Sequence, residues 1–282
     1  MARFLHRPHR IPPKLRGSRR SADESPAPPI GPEPFHPSLD YVLKARYILQ
    51  YKVVHGKGLP LEIVDLIIDE AEYWPSVEVM MDKRAVIRQD ADRSLVRTLP
   101  LCYDEKTLKS SAPVRPFPHR CTHPCRKIVF HISSHDQGWG GDYRGSYGKS
   151  WTWFDAVVIR AAFKKIRALE GTNPEDDGDD IEERSFPTNY GEIHSLALQS
   201  NRTAIGETEP YTIVWHYLDD IQPDSEQAQE IQERQGRGRF TLDGSTVREL
   251  QVGDAISIWG RTRFSGWSNY VDWLSVRVFW AV

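Results

Sequence analysis

Cysteine is scarce in this chain, with three among 282 residues, and neither an apolar run approaching 18 residues nor a short apolar leader core is present. The first shortage excludes a disulfide-stapled scaffold, the second a membrane-spanning helix and the third a secretory leader, so a soluble cytoplasmic or nuclear protein in a reducing compartment is expected. Catalytic signatures are missing as well. There is no Gly-x-Ser-x-Gly elbow, phosphate loop, His-Glu-x-x-His helix or dinucleotide fingerprint, which argues against the commonest nucleophilic, phosphoryl-transfer and cofactor chemistries. GRGRF at 236–240 reads as a flexible turn, because no helix follows it to aim amides at a phosphate.

Acid is absent from residues 1–20, which hold Arg3, Arg7, Arg10, Lys14, Arg16, Arg19 and Arg20; the whole chain carries −2, so the remainder carries −9. Clustered cations can serve nucleic acid or a targeting receptor. Here Pro8, Pro12 and Pro13 break any amphipathic helix, and prolines continue to Pro37. A disordered basic, Pro-rich tail over 1–37 is therefore expected, and nucleic acid is not an expected partner.

What is present falls into two textures. In 38–96 a helical hairpin is predicted: Leu39, Val42, Leu43, Ala45, Ile48, Leu49 and Val53 recur at helical spacing behind Ser38, and Leu61, Val64, Ile67, Ile68 and Ala71 form a stripe behind Pro60. From 97 to 282 the period becomes two, as in RKIVFHIS, with at least six short strands separated by Gly, Asp, Asn and Ser loops. That spacing predicts a mainly β fold, an antiparallel sandwich or jelly roll, over a parallel βαβ sheet. EGTNPEDDGDDIEER, within an acidic loop at 170–184, lacks the ligand spacing of a calcium loop.

Aromatic residues crowd two related stretches, SHDQGWGGDYRGSYGKSWTWFD and RFSGWSNYVDW. Trp139, Tyr143, Tyr147, Trp151, Trp153, Trp267 and Tyr270 stand beside Asp136, Arg261, Arg263 and Asn269. Rings with polar neighbours suit a glycan or a protein segment, so these eleven residues are the candidate ligand site; rings that merely plug the end of the sandwich are the competing reading. His131, His135 with Asp136, and Asp155 form an alternative acid/base set for a small-molecule enzyme, with Asp219-Asp220 a lesser one. His119, Cys121, His123 and Cys125 lie within seven residues, a donor set zinc can use. A single Cys-x-x-x-Cys without a second pair reads better as thiols packed as small hydrophobes, and no metal or cofactor is expected.

On these residues the segment of about 120–282 resembles the galactose-binding type of β-sandwich, including phloem-lectin and F-box-associated sugar-binding modules. The strings SHDQGWGG, TWFD, GDAISIWGRTRFSGWSNYV and VFWAV resemble those of a group of fungal proteins. LPLEIVDLIIDEAEYW resembles the opening helix of an F-box, and MMDKRAVIRQDADRSLVRTLPLCYDEKTLKSS offers no counterpart of its later helices. The resemblances imply a noncatalytic recognition module, or an adaptor that engages a Skp-type partner through Leu59–Trp74.

Overall fold

The computed structural model describes residues 35–52, 57–109, 115–140, 142–162 and 195–282. The expected tail lies outside the described residues up to position 34, as do Val53 and the acidic loop. Among the described residues the elements in chain order are helices α1 (Leu39–Tyr51) and α2 (Leu61–Glu70), then strands β1 (Ser76–Met80), β2 (Ala85–Arg88) and β3 (Asp92–Arg97). The one-turn helix α3 (Glu105–Leu108) precedes strands β4 (Cys125–His135), β5 (Thr152–Ile159), β6 (Ser195–Ser200) and β7 (Glu209–His216). Helices α4 (Glu226–Gln235) and α5 (Ser245–Glu249) lead to strands β8 (Ala255–Thr262) and β9 (Ser268–Trp280).

The strands form two antiparallel sheets packed as a sandwich. One has the order β1-β9-β4-β7, with β2 sharing the β1 edge of the long strand β9; the other has the order β3-β8-β5-β6. Alternation decides which residues meet. Ile128, Phe130 and Ile132 of β4 pair in register with Val278, Val276 and Leu274 of β9, and all six are buried. They share a core with Phe154, Ala156, Leu198, Ile256 and Ile258 of the other sheet. Phe130 and Trp215 meet edge to face at 4.7 Å, an arrangement the ring quadrupoles favour.

The β region begins earlier than residue 97. Strands β1 to β3 occupy most of 76–97, and the helical region stops at about residue 71. Short strands with mixed polarity, such as SVEVM, carry little periodic signal, because they are defined by pairing to β9 and β8.

The helical hairpin forms as expected. Ser38 Oγ accepts from the Tyr41 N–H at 3.4 Å, and Leu59 donates back to Leu49 at 3.0 Å. Its inner face lies on the outer side of the five-stranded sheet, where Val64, Ile68 and Trp74 pack with Phe279 and Val129. Alternating charges reinforce the seam. Arg46 pairs with Asp65 at 2.7 Å, Arg120 bridges Asp65 and Asp69, and Arg126 reaches Asp69 at 3.4 Å. The stripe is narrower than the sequence suggests: Val42, Val64 and Ile68 are buried, whereas Leu43, Ile48, Leu61, Ile67 and Ala71 are exposed. A two-helix layer on a flat sheet covers only one side of each helix, so apolar residues one position off the seam face outward.

Candidate functional site

Antiparallel pairing brings four loops to one end of the sandwich. The end of β4 meets the start of β9 at His135 and Tyr270, the start of β5 meets the end of β8 at Thr152 and Thr262, and Trp153 faces Ser200 of β6. The loops 136–151, 201–208 and 263–267 therefore sit together, with 89–91 beside them.

Under the loops lies a fully buried polar floor. Ser134 Oγ donates to Asn201 Oδ1 at 2.7 Å, and Asn201 Nδ2 donates to Thr152 Oγ1 and Asn269 Oδ1, both at 3.0 Å. Asn269 Nδ2 reaches the carbonyls of Trp153 and Arg261 at 3.2 and 3.3 Å. Ser134, Thr152, Asn201 and Asn269 are all at 0% exposure. Asp136 is equally buried and ties two loops together, accepting from the N–H groups of Gly138 at 2.7 Å and Ala204 at 2.6 Å. Burial pushes its carboxyl pKa up, and those two N–H bonds work in the opposite direction.

Above the floor the two Gly-Trp turns interlock. A Cβ on Gly266, at φ +90°, would lie 3.2 Å from Cη2 of Trp139, and one on Gly140, at φ +146°, would lie 3.7 Å from Cη2 of Trp267. Each indole thus lies against the other turn's glycine; a side chain at Gly266 would crowd Trp139, and both glycines adopt a positive φ that a side chain would strain. The amide of Gln137 joins the turns further, donating to the Trp139 carbonyl at 2.8 Å and accepting from the Ser268 N–H at 3.2 Å. Trp151 and Phe264 meet edge to face at 4.8 Å. The surface that results is aromatic: Trp139 is 62% exposed, Phe264 56%, Tyr143 42% and Trp151 36%. Phe264 has φ +69°, a strained conformation for a bulky side chain. It is absent from the sequence-derived candidates, and its position two residues before Gly266 was the available signal.

The other candidates are placed differently. Asn269 and Asp136 are structural floor, buried with their hydrogen bonds satisfied inside the fold. Tyr147 lies against the αL cap glycine of α4, where a Cβ on Gly236 would overlap its ring; burial, then the Glu209 charge, raise its pKa. Trp153, Arg261 and Arg263 lie on the outer face of the four-stranded sheet or its rim. Arg261 pairs with Asp155 at 3.0 Å and with Asp92, and Arg263 pairs with Asp92 at 2.8 Å while its guanidinium lies 5.1 Å from the Trp153 ring. Tyr270 stacks on His135 at 4.7 Å on the outer face of the other sheet. Trp267 is half-buried.

Among the described residues the acid/base candidates His131, His135, Asp155 and Asp219 are engaged with other partners, His131 Nδ1 lying 3.1 Å from Thr212 Oγ1. His135 Nδ1 meets the backbone carbonyl of Asp136 at 2.6 Å, not its carboxylate. Asp155 is held by Trp153 Nε1, Ser195 and Arg261, and Asp219 accepts from the His216 N–H at 2.9 Å. The His/Cys segment is also divided. Cys125 is buried and Cys121 exposed, His119 and His123 spend Nδ1 on the carbonyls of Phe117 and Arg248, and among the described residues no group of three or more His, Cys, Asp or Glu could hold a metal ion. In Leu59–Trp74 the inner side chains Val64, Ile68 and Trp74 are taken up by the sandwich, while Ile63 and Leu66 are exposed.

No helix among the described residues is long and apolar enough to cross a membrane. Comparison with known proteins finds no matching family model, no similar curated protein and no similar solved structure.

Proposed function

We propose that this chain is a noncatalytic recognition module that grips a protein segment with the exposed rings of Trp139, Phe264, Trp151 and Tyr143. The observation that carries this reading is that four aromatic side chains are exposed on loops at one end of the sandwich, Trp151 and Phe264 in edge-to-face contact, above a buried hydrogen-bond floor that pins the loop bases. Such loops lose little conformational freedom when a partner covers them, so the burial of ring surface goes largely into affinity. The polar residues a sugar would need favour the protein segment over a glycan. Asp136, Asn269, Arg261 and Arg263 already hold partners within the fold, leaving mainly ring faces for proline and aliphatic side chains.

A random-peptide display selection on the full chain, run beside a glycan array, tests the proposal. Trp139→Ala and Phe264→Ala should each weaken the selected peptides by about 1–3 kcal/mol, roughly 5- to 150-fold. Peptide binding indifferent to both changes would refute the assigned surface, and glycan binding without peptide binding would refute the ligand class.

A further inference from the structure

Away from the loop end, exposed apolar side chains gather on the helical hairpin. Ile63, Leu66 and Ile67 of α2 face outward, with Leu66 at 64% exposure. The same helix holds four acids, Glu62, Asp65, Asp69 and Glu70, and no base. Asp65 and Asp69 turn toward the sandwich and are answered by Arg46, Arg120 and Arg126. Glu62 and Glu70 are exposed, and no ion pair recorded among the described residues uses them. Helical spacing puts Glu62, Leu66 and Glu70 in one row and Ile63 and Ile67 in the next. A surface that is both apolar and anionic fits an occupant that is apolar and cationic.

The chain carries such a segment. Its first twenty residues interleave seven Arg or Lys with Phe4, Leu5, Ile11 and Leu15 and contain no acid. The described chain starts at Phe35, and His36 packs 5.4 Å from Phe279, the ring that also receives Val64, Ile68 and Trp74. Because α1 and α2 are antiparallel, this entry point lies beside the Glu70 end of α2. The fourteen intervening residues, 21–34, can reach about 45 Å when extended, against about 15 Å for the whole of α2. A tether of that length holds the segment at an effective concentration of about a millimolar.

We propose that residues 1–20 dock on the outer face of α2 in the same molecule, with cations against Glu62 and Glu70 and the interleaved apolar side chains against Ile63, Leu66 and Ile67.

Carbodiimide coupling of the full-length chain tests the contact, since it joins carboxylates to amines without a spacer and Lys14 is the single lysine in 1–20. Mapped by mass spectrometry, Lys14 should couple to Glu62 or Glu70 within monomers. The yield should fall several-fold as salt is raised from about 0.05 to about 1 M, where the Debye length shrinks to ~3 Å. It should also fall several-fold in Leu66→Lys, an exposed change that leaves the fold intact. Coupling of Lys14 spread over other carboxylates, or yields unmoved by Leu66→Lys, would overturn the assignment. Links joining isotope-labelled to unlabelled copies would overturn it in favour of a second molecule as the occupant.

Discussion

Replacing Asn201 by alanine should destabilise the protein by about 3–5 kcal/mol, because one fully buried side chain makes three of the hydrogen bonds beneath the aromatic loops. The change leaves the Ser134 hydroxyl without its acceptor and Thr152 Oγ1 and Asn269 Oδ1 without their donor, in a place where all three side chains are at 0% exposure. An orphaned buried polar group costs about 1–3 kcal/mol, and three of them toward the lower end of that span give the range stated. In urea, with a slope of about 3 kcal/mol per molar for a chain of this size, the midpoint should drop by about 1 M. Ser134→Ala measured alone and combined with Asn201→Ala should be non-additive, since the two share a bond. The expected double variant is therefore less destabilised than the sum of the singles. A midpoint shift under ~0.3 M for Asn201→Ala would refute the reasoning, since it would mean that water or a local rearrangement replaces the lost partners at little cost.

The hairpin offers a paired test: Val64→Asp should cost about 3 kcal/mol or more, whereas Ile67→Asp should cost under about 1 kcal/mol, because Val64 is buried against the sandwich and Ile67 is exposed. Equal losses in thermal melts would contradict that assignment of faces. Burial raises the folded-state pKa of Asp136 above its unfolded value, so the native state binds the extra proton and this group's favourable contribution is lost as pH rises through the folded value. Stability of the wild type relative to Asp136→Asn should accordingly decline as pH rises above the ordinary carboxylate value of about 4 and through the raised folded value, and a flat or rising difference would refute the shift. Among the thiols, burial pushes Cys102 up to about 12 and raises Cys125 as well, while Cys121 is exposed. A thiol-disulfide reagent at neutral pH should therefore modify one cysteine in the native protein and three in denaturant, and two or more fast native thiols would contradict the burial.

Long strands were legible because period-two alternation and burial coincide in them. In β4 the inward positions Ile128, Phe130 and Ile132 are buried and alternate with Lys127, Val129 and His131, and the hairpin was legible from Ser38 and Pro60 as starts. Strands β1 to β3 were not, since they hold four to six residues each and their identity depends on partners some 160–200 positions away. The width of the α2 stripe was also beyond reach, because periodicity tells which residues share a side of a helix but not how much of that side a flat sheet covers. For the site, aromatic density pointed to one end of the sandwich, where the structure also exposes Phe264, while the polar candidates Asp136 and Asn269 are buried beneath the loops.

The burial of those polar residues has a physical cause that extends to other sandwiches. Where strands end, their last carbonyls and amides and the loops above them need partners in a volume that water cannot enter. Side chains such as Asn269, Asn201 and Asp136 meet this need by reaching inward, and Asn269 and Asp136 stand in sequence close to aromatic residues of the same loops. Polar and aromatic residues adjacent in sequence are then adjacent in space without sharing a surface, because one group holds the loops and the other is held by them. The interlock of Gly140 under Trp267 and Gly266 under Trp139 adds a second restraint in the same direction. Exposed rings on loops fixed from below and from the side can stay apolar, exposed and ordered at once, which is the condition a preformed binding surface requires.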